Sequence, residues 1–246
     1  MKVFYHGDAE EVIKRHIPSK SVNLIYINPP FEAATRNYWD KPLDWKTLFA
    51  EFFRILKDDG MLVIHCAVPF NYHLIRIAPR EPNYSWYWKK EAPTCPLIAN
   101  VQPLRIIEEV LVWRNKKNTY YRKNIGTEER NSTYMTKNDY YGKTTKKGIT
   151  KMIGKTRTHF LEMPRRFDDF STRPLEMMRL FYELYSKPGD VCLDCFCYEG
   201  VSSTQAPGRH WIGIDKFHFP KYLMGAKKAP LSIVDGEPET PPNRVP

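Results

Sequence analysis

Val22-Asn23-Leu24-Ile25-Tyr26-Ile27 runs without a break into Asn28-Pro29-Pro30-Phe31. The first six residues read as a buried strand. The two prolines stop it, because neither can donate a ladder hydrogen bond. Working outward, residues 1–6 read as another strand and residues 8–17 as a helix that Asp8 is placed to cap. Residues 44–56 carry Trp45, Leu48, Phe49, Phe52, Phe53 and Leu56 at helical spacing on one face. Asp59-Gly60 is expected to turn the chain into a second buried strand over residues 61–67. Residues 84–88 and 106–113 read as strands, 174–186 as a helix, and 191–195 and 211–214 as further strands. Short apolar strands alternating with amphipathic helices predict an α/β domain on a mostly parallel sheet. Such sheets bind ligands beyond the carboxyl ends of their strands. Three unusual segments fall there: residues 28–31, residues 195–200, and Asp215.

The turn after residue 27 has a chemistry of its own. Asn28 offers a side-chain carbonyl oxygen, which only accepts hydrogen bonds. Pro29 has a backbone carbonyl and no N–H, and Pro30 pushes Pro29 towards an extended conformation that fixes where this carbonyl points. Phe31 adds an apolar face. Such a turn suits an aromatic amino group. Two acceptors would take its N–H bonds and aim the nitrogen lone pair, while a base pulled out of a duplex stacked on the ring. An ordinary proline turn is the alternative, and the preceding buried strand argues against it.

A chain of 246 residues with 42% apolar content can form one α/β domain with an insertion. It contains no apolar run of about 18 residues, so no membrane span is expected, and its start lacks the pattern of a signal peptide. Five cysteines, an odd number, argue against a disulfide framework and for an intracellular, reducing compartment. Cys192-x-x-Cys195-x-Cys197 lacks the second close ligand pair of structural zinc sites, so no metal is expected. The net charge of +10 is unevenly placed. Residues 114–166 hold 15 Lys/Arg against 4 Asp/Glu, and the rest of the chain holds 23 against 24. A basic block on a near-neutral body is the footprint of a polyanion binder. Residues 115–158 are rich in Lys, Thr, Asn and Tyr without sustained period, and read as an insertion rather than core. Lys116, Lys117, Arg122, Lys123, Lys143, Lys146, Lys147 and Arg157 are its candidate phosphate contacts. Tyr120, Tyr121, Tyr134, Tyr140 and Tyr141 either stack on bases or anchor a small subdomain. The Pro-rich tail from Pro230 is expected to be disordered.

Taken in order, these motifs resemble the beta group of DNA amino-methyltransferases, in which the catalytic half precedes the cofactor half. The resemblance runs from His6-Gly7-Asp8 to Asn28-Pro29-Pro30-Phe31, then through Trp45 to Leu56-Lys57-Asp58-Asp59-Gly60-Met61-Leu62-Val63-Ile64. It continues through Ile107-Glu108-Glu109-Val110-Leu111-Val112-Trp113, Ser171-Thr172-Arg173-Pro174-Leu175-Glu176, residues 191–200 and residues 211–215. It implies a Rossmann-like methyltransferase sheet in circularly permuted order, with the basic block as target-recognition insertion. The implied divisions are a catalytic half over residues 1–113, the insertion over 114–166, a cofactor half over 167–229 and the tail over 230–246.

The resemblance also implies an enzyme that transfers a methyl group from S-adenosylmethionine to an exocyclic amino group in double-stranded DNA. Asn28, Pro29, Pro30 and Phe31 would be catalytic. Asp194, Phe196 and Gly200 would line the cofactor, Asp215 would take its ribose hydroxyls, Asp8 would lie near its adenine, and Thr172 and Arg173 near its methionine part. Asn-Pro-Pro-Phe resembles the adenine-directed forms more than the cytosine-directed ones. A homodimer and a companion restriction nuclease are compatible with the family. Three departures stand out. The cofactor loop has Tyr198 where the family has glycine, with the charge of Glu199 beside it; Pro207-Gly208 shortens the helix that follows; and Asn28 opens the catalytic motif where this group more often has Asp or Ser. The alternatives are a cytosine-N4 or RNA enzyme, or a methyltransferase-derived DNA-binding protein without activity.

Overall fold

The computed structural model describes residues 1–31, 40–94, 96–117, 119–134, 148–165, 173–218 and 227–228. Cys95, Tyr140, Tyr141, Lys143, Lys146, Lys147, Thr172 and the tail from Pro230 lie outside the described residues. The chain divides into two compact units, Met1–Tyr121 with Phe160–Pro246, and Arg122–His159.

The first unit is built on a sheet of nine strands among the described residues. They are β1 (Lys2–His6), β2 (Val22–Ile27), β3 (Leu56–Cys66), β4 (Tyr84–Thr94), β5 (Arg105–Arg114), β8 (Phe160–Glu162), β9 (Val191–Asp194), β10 (His210–Asp215) and β11 (Lys227–Lys228). The spatial order is β11-β1-β10-β9-β2-β3-β5-β4-β8. Pairing is parallel from β11 to β3, and β5 then runs antiparallel to both β3 and β4. Alternation along the central strands sends residues to two cores. Leu24 and Tyr26 meet Phe181 and Tyr182 of α4 (Leu175–Tyr185) on one face. Ile25 and Ile27 meet Ile13 of α1 (Ala9–His16) and Phe49 and Phe52 of α2 (Trp45–Ile55) on the other. Each of these fully buried apolar side chains contributes about 1.5–3 kcal/mol.

One sequence expectation needs correction here. Asp59-Gly60 does not turn the chain ahead of a strand; it lies in a bulge inside β3. Val22 pairs with Leu56 and Leu24 with Met61, so the bulged strand spends extra residues opposite one step of β2. A Cβ on Gly60 would come 2.8 Å from Leu56 Cδ2 and 2.9 Å from the Lys57 carbonyl, which is why glycine stands there. The polar segment, read as an insertion rather than core, contains a β-ribbon. In the second unit β6 (Ile125–Tyr134) pairs antiparallel with β7 (Gly148–Lys155), from Ile125 opposite Lys155 to Tyr134 opposite Gly148. Polar residues occupy both alternating sets along β6, so no period-2 apolar signal marks it.

Packing is close around Gly213 in β10. A methyl group on Gly213 would overlap the ring of fully buried Trp211 and come 2.9 Å from Cys197 Sγ. Trp211 is itself tied by its Nε1–H to Tyr182 Oη at 3.1 Å. Gly213→Ala is therefore expected to lower stability by about 1–3 kcal/mol through overpacking, read as a shift of the urea midpoint. An unchanged midpoint would show that this edge can relax.

Candidate active site

The parallel register brings four strand ends together. Lys2 to His6 pair with Trp211 to Asp215, Trp211 to Gly213 pair with Cys192 to Asp194, and Leu24 and Ile25 pair with Cys192 and Leu193. Asp8, Asp215, Phe196 and Asn28 therefore leave neighbouring strands on one edge.

Asn28 follows the last residue of β2, and its side-chain oxygen is buried with no hydrogen-bond donor among the described residues. A buried acceptor left open is costly, on the order of 1–3 kcal/mol. The ring of Phe31 lies 5.4 Å from that of Phe70 at 24°, and the Arg173 guanidinium carbon lies 5.3 Å from its centroid. Phe70, at the start of α3 (Phe70–Ile77), touches Trp45 at 5.5 Å, and Trp45 touches Phe196 at 6.4 Å. This row of rings ties the turn after β2 to the loop after β9.

In that loop Asp194 is buried; its carboxylate accepts from Ser202 Oγ at 2.5 Å and from the Phe196 N–H at 3.3 Å. Burial pushes its carboxyl up to about 7, against a partial lowering by the Ser202 and Phe196 hydrogen bonds and with a further rise from Asp215. Gly200 adopts φ 79° at the head of a short 3-10 turn, Val201–Gln205, which is all the helix the sequence before Pro207-Gly208 allows. Tyr198 also has positive φ, 50°. This is the conformation glycine takes freely and a tyrosine takes at a cost of about 1–2 kcal/mol. Its N–H donates to Asp215 Oδ2 at 2.7 Å, and its ring packs on His218 at 4.1 Å. Asp215 Oδ1 accepts from the N–H groups of Phe217 and His218, both at 2.9 Å, and faces His218 Nδ1 at 3.1 Å.

Asp8 caps α1, accepting from the N–H groups of Glu10 and Glu11. It is carried to this edge by Gly7, whose N–H donates to the Asp215 carbonyl at 3.1 Å. Arg173 reaches the edge from the turn before α4 and pairs with Glu108 at 2.8 Å. Lys116 and Lys117 do not join the cluster. They follow β5 at the opposite edge, where Lys116 pairs with Asp58 at 3.2 Å and the Lys117 N–H donates to the Asp58 carbonyl. Arg122, Lys123 and Arg157 belong to the second unit, where Arg122 Nη2 donates to Thr156 Oγ1 at 2.6 Å. The sequence reading passed over Trp45, Phe70, Lys90, Glu108, Ser202 and His218. A signal existed for two of them. Lys90 alternates in step with the buried Trp86 and Trp88 of β4, and Glu108 in step with the buried Val110 and Val112 of β5.

A family model of N6 and N4 DNA methylases matches residues 22–222. The chain belongs to this DNA methylase family. Solved structures share its fold at low identity. M1.HpyAVI in complex with SAM is 20% identical, covers 88% of this chain and 94% of its own, and superposes with a TM-score of 0.58. The cytosine-N4-specific PvuII DNA methyltransferase is 15% identical, with 87% and 82% covered and a TM-score of 0.60. TTHA0409 of Thermus thermophilus, complexed with S-adenosyl-L-methionine, is 20% identical, with 87% and 88% covered and a TM-score of 0.57. Among curated proteins none matches this sequence. In this family member, no group of His, Cys, Asp and Glu among the described residues is arranged to hold a metal ion, and no described helix is long and apolar enough to cross a membrane.

Proposed function

We propose that the chain methylates the exocyclic amino group of a base in DNA, with adenine N6 preferred, using S-adenosylmethionine. The observation that carries this reading is the open buried oxygen of Asn28, at the end of a strand hydrogen-bonded to the one that leads into Phe196. That oxygen accepts one N–H of the target amino group, and the Pro29 carbonyl accepts the second. Together they draw the nitrogen lone pair out of ring conjugation and point it across to the neighbouring loop. The cofactor, when bound, supplies a methyl already activated on a sulfonium, so no general base is needed before transfer. In that transfer the N–C bond would form as the sulfonium C–S bond broke, and the amino proton would pass to water. Asp215 would take the cofactor's ribose hydroxyls, and Asp194 would line its site. The basic ribbon of the second unit, with Arg122, Lys123 and Arg157, supplies phosphate contacts. The adenine preference rests on Asn-Pro-Pro-Phe.

Transfer of tritiated methyl to mixed-sequence DNA, RNA and protein, with the labelled base identified after hydrolysis, tests the reading. Counts in N6-methyladenine are expected. Counts in N4-methylcytosine would move the base, and counts confined to RNA or protein would overturn the substrate. The Tyr198–His218 pair against Asp215 favours a second reading, a DNA-binding protein that has lost the cofactor. Absence of heat on titration with S-adenosylmethionine would establish it.

The raised Asp194 carboxyl adds a pH prediction. The unfolded chain ionises this group near 3.8 and the folded chain only near 7. Its favourable contribution is complete below the lower value and is lost as pH rises through the upper one. A nearby sulfonium favours the carboxylate, so cofactor binding is expected to release a proton below pH 7 and to tighten as pH rises from 5 to 7. Calorimetry in buffers of different ionisation enthalpy reads this directly. Asp194→Asn should remove the proton release, and its persistence in that variant would assign it elsewhere.

A further inference from the structure

Three charged side chains lie in a row at the edge where Asn28 emerges. Glu108 Oε1 accepts from Lys90 Nζ at 3.0 Å, and Glu108 Oε2 accepts from Arg173 Nη2 at 2.8 Å. The Lys90 side chain is 1% exposed, Arg173 10% and Glu108 11%. The register explains the location. Glu109 pairs with Cys66, the last residue of β3, so Glu108 overhangs the carboxyl end of the parallel strands. Trp88, fully buried and opposite Glu108 in the ladder, forms a floor for both cations, 5.9 Å from Lys90 Nζ and 6.0 Å from the Arg173 guanidinium carbon. Beyond Glu108 the same guanidinium lies over Phe31 at 5.3 Å.

We propose that Arg173 is a positioning residue: anchored by Glu108 and Lys90, it holds the Phe31 ring and with it the Asn28–Phe31 turn in the attitude that methyl transfer requires. The inference rests on the transfer reading above. A guanidinium can do this where an ammonium cannot. Its plane lies on a ring face while its edge donates to a carboxylate, so one group meets both surfaces in fixed geometry. The carboxylate is in turn fixed by a buried lysine whose rotamers are restricted by Trp88 and by Thr94 Oγ1 at 3.2 Å. Turn and row come from sequence segments far apart, so the ring's attitude is set by tertiary contacts rather than by the double proline.

Two readouts test this, one of them independent of transfer. A 4-fluorophenylalanine placed at position 31 reports the ring's surroundings by fluorine NMR. Arg173→Met and Glu108→Gln are expected to move its resonance in the same direction, and Arg173→Lys to leave it closer to Arg173→Met than to the parent. An unmoved resonance in folded Arg173→Met and Arg173→Lys would overturn the proposal, and Arg173→Lys keeps the test available if the other variants fold poorly. In transfer assays, Arg173→Met is expected to lower kcat about ten- to hundredfold, with the calorimetric Kd for S-adenosylmethionine within about twofold of the parent. A raised Kd with kcat intact would instead assign Arg173 to the cofactor. If the parent protein transfers no methyl group, the proposed function fails while the fluorine comparison still decides whether Arg173 holds the ring.

Discussion

Asn28→Ala is expected to reduce methyl transfer to DNA by at least about a hundredfold, while the affinity for S-adenosylmethionine stays within about twofold of the parent. The oxygen removed is buried and receives no hydrogen bond from the described residues, so nothing in the resting fold depends on it. Deleting it should relieve an unsatisfied acceptor and leave stability unchanged or slightly higher. Its loss matters only when the target amino group arrives. Removing one preorganised hydrogen-bonding group of this kind from a site costs about 10²–10³ in turnover. Asn28→Asp keeps an acceptor at the same distance from the backbone and should retain most of the rate. The measurement is the initial rate at saturating cofactor for all three proteins, with binding followed separately by calorimetry. Equal rates for the parent and Asn28→Ala would remove Asn28 from the mechanism.

The second large effect is on folding. Glu108→Gln changes volume little but takes its carboxylate partner from the Lys90 ammonium, whose side chain is 1% exposed. Removing one partner of such an arrangement typically costs about 3–5 kcal/mol, because the remaining charge stays desolvated. Burial by itself would raise the Glu108 carboxyl; Arg173 and Lys90 outweigh it and hold the group below its ordinary 4.5. A carboxyl lowered on folding adds stability above its unfolded value, and this is lost as pH falls through the lower folded value. The deficit of Glu108→Gln should therefore be full at pH 7 and should shrink in acid, below about pH 4.5. Urea unfolding at pH 7 and pH 3.5 checks both statements. Lys90→Met in the same chain should recover part of the loss, since it removes the stranded cation. A deficit under about 1 kcal/mol at pH 7 would show that water reaches the row and screens it.

The strands nearest the site were legible because their pattern is unambiguous. Residues 22–27 are apolar apart from Asn23, and Asn28 and two prolines follow them; the structure places β2 at the middle of the sheet, paired on both sides. The α2 helix was equally plain from Trp45, Leu48, Phe49, Phe52 and Phe53 at helical spacing, while Leu56, read with them, opens β3. The β6–β7 ribbon was not legible, since neither face of those strands has to be buried in a core. The Asp59-Gly60 pair misled for a related reason. An aspartate followed by glycine marks a sharp change of backbone direction, and a bulge makes that change without ending the strand.

The candidate site divides along the same line. Local chemistry in the chain was enough to single out Asn28 and Asp215, because a prolyl turn and an acidic strand end are features of a few consecutive residues; Asp194 came only from the family resemblance. Composition alone located the basic block. Lys116 and Lys117 show where that information stops. They belong to the block by sequence, yet β5 runs antiparallel and delivers them to the edge away from Asn28. The aromatic row from Phe31 to Phe196, the Glu108 anchor of Arg173 and the packing of Tyr198 on His218 could not be read from any window of residues. Periodicity and breakers record how a segment bends and which of its faces avoids water. Which faces meet depends on strand order and register, and those are settled by the packing of the whole sheet.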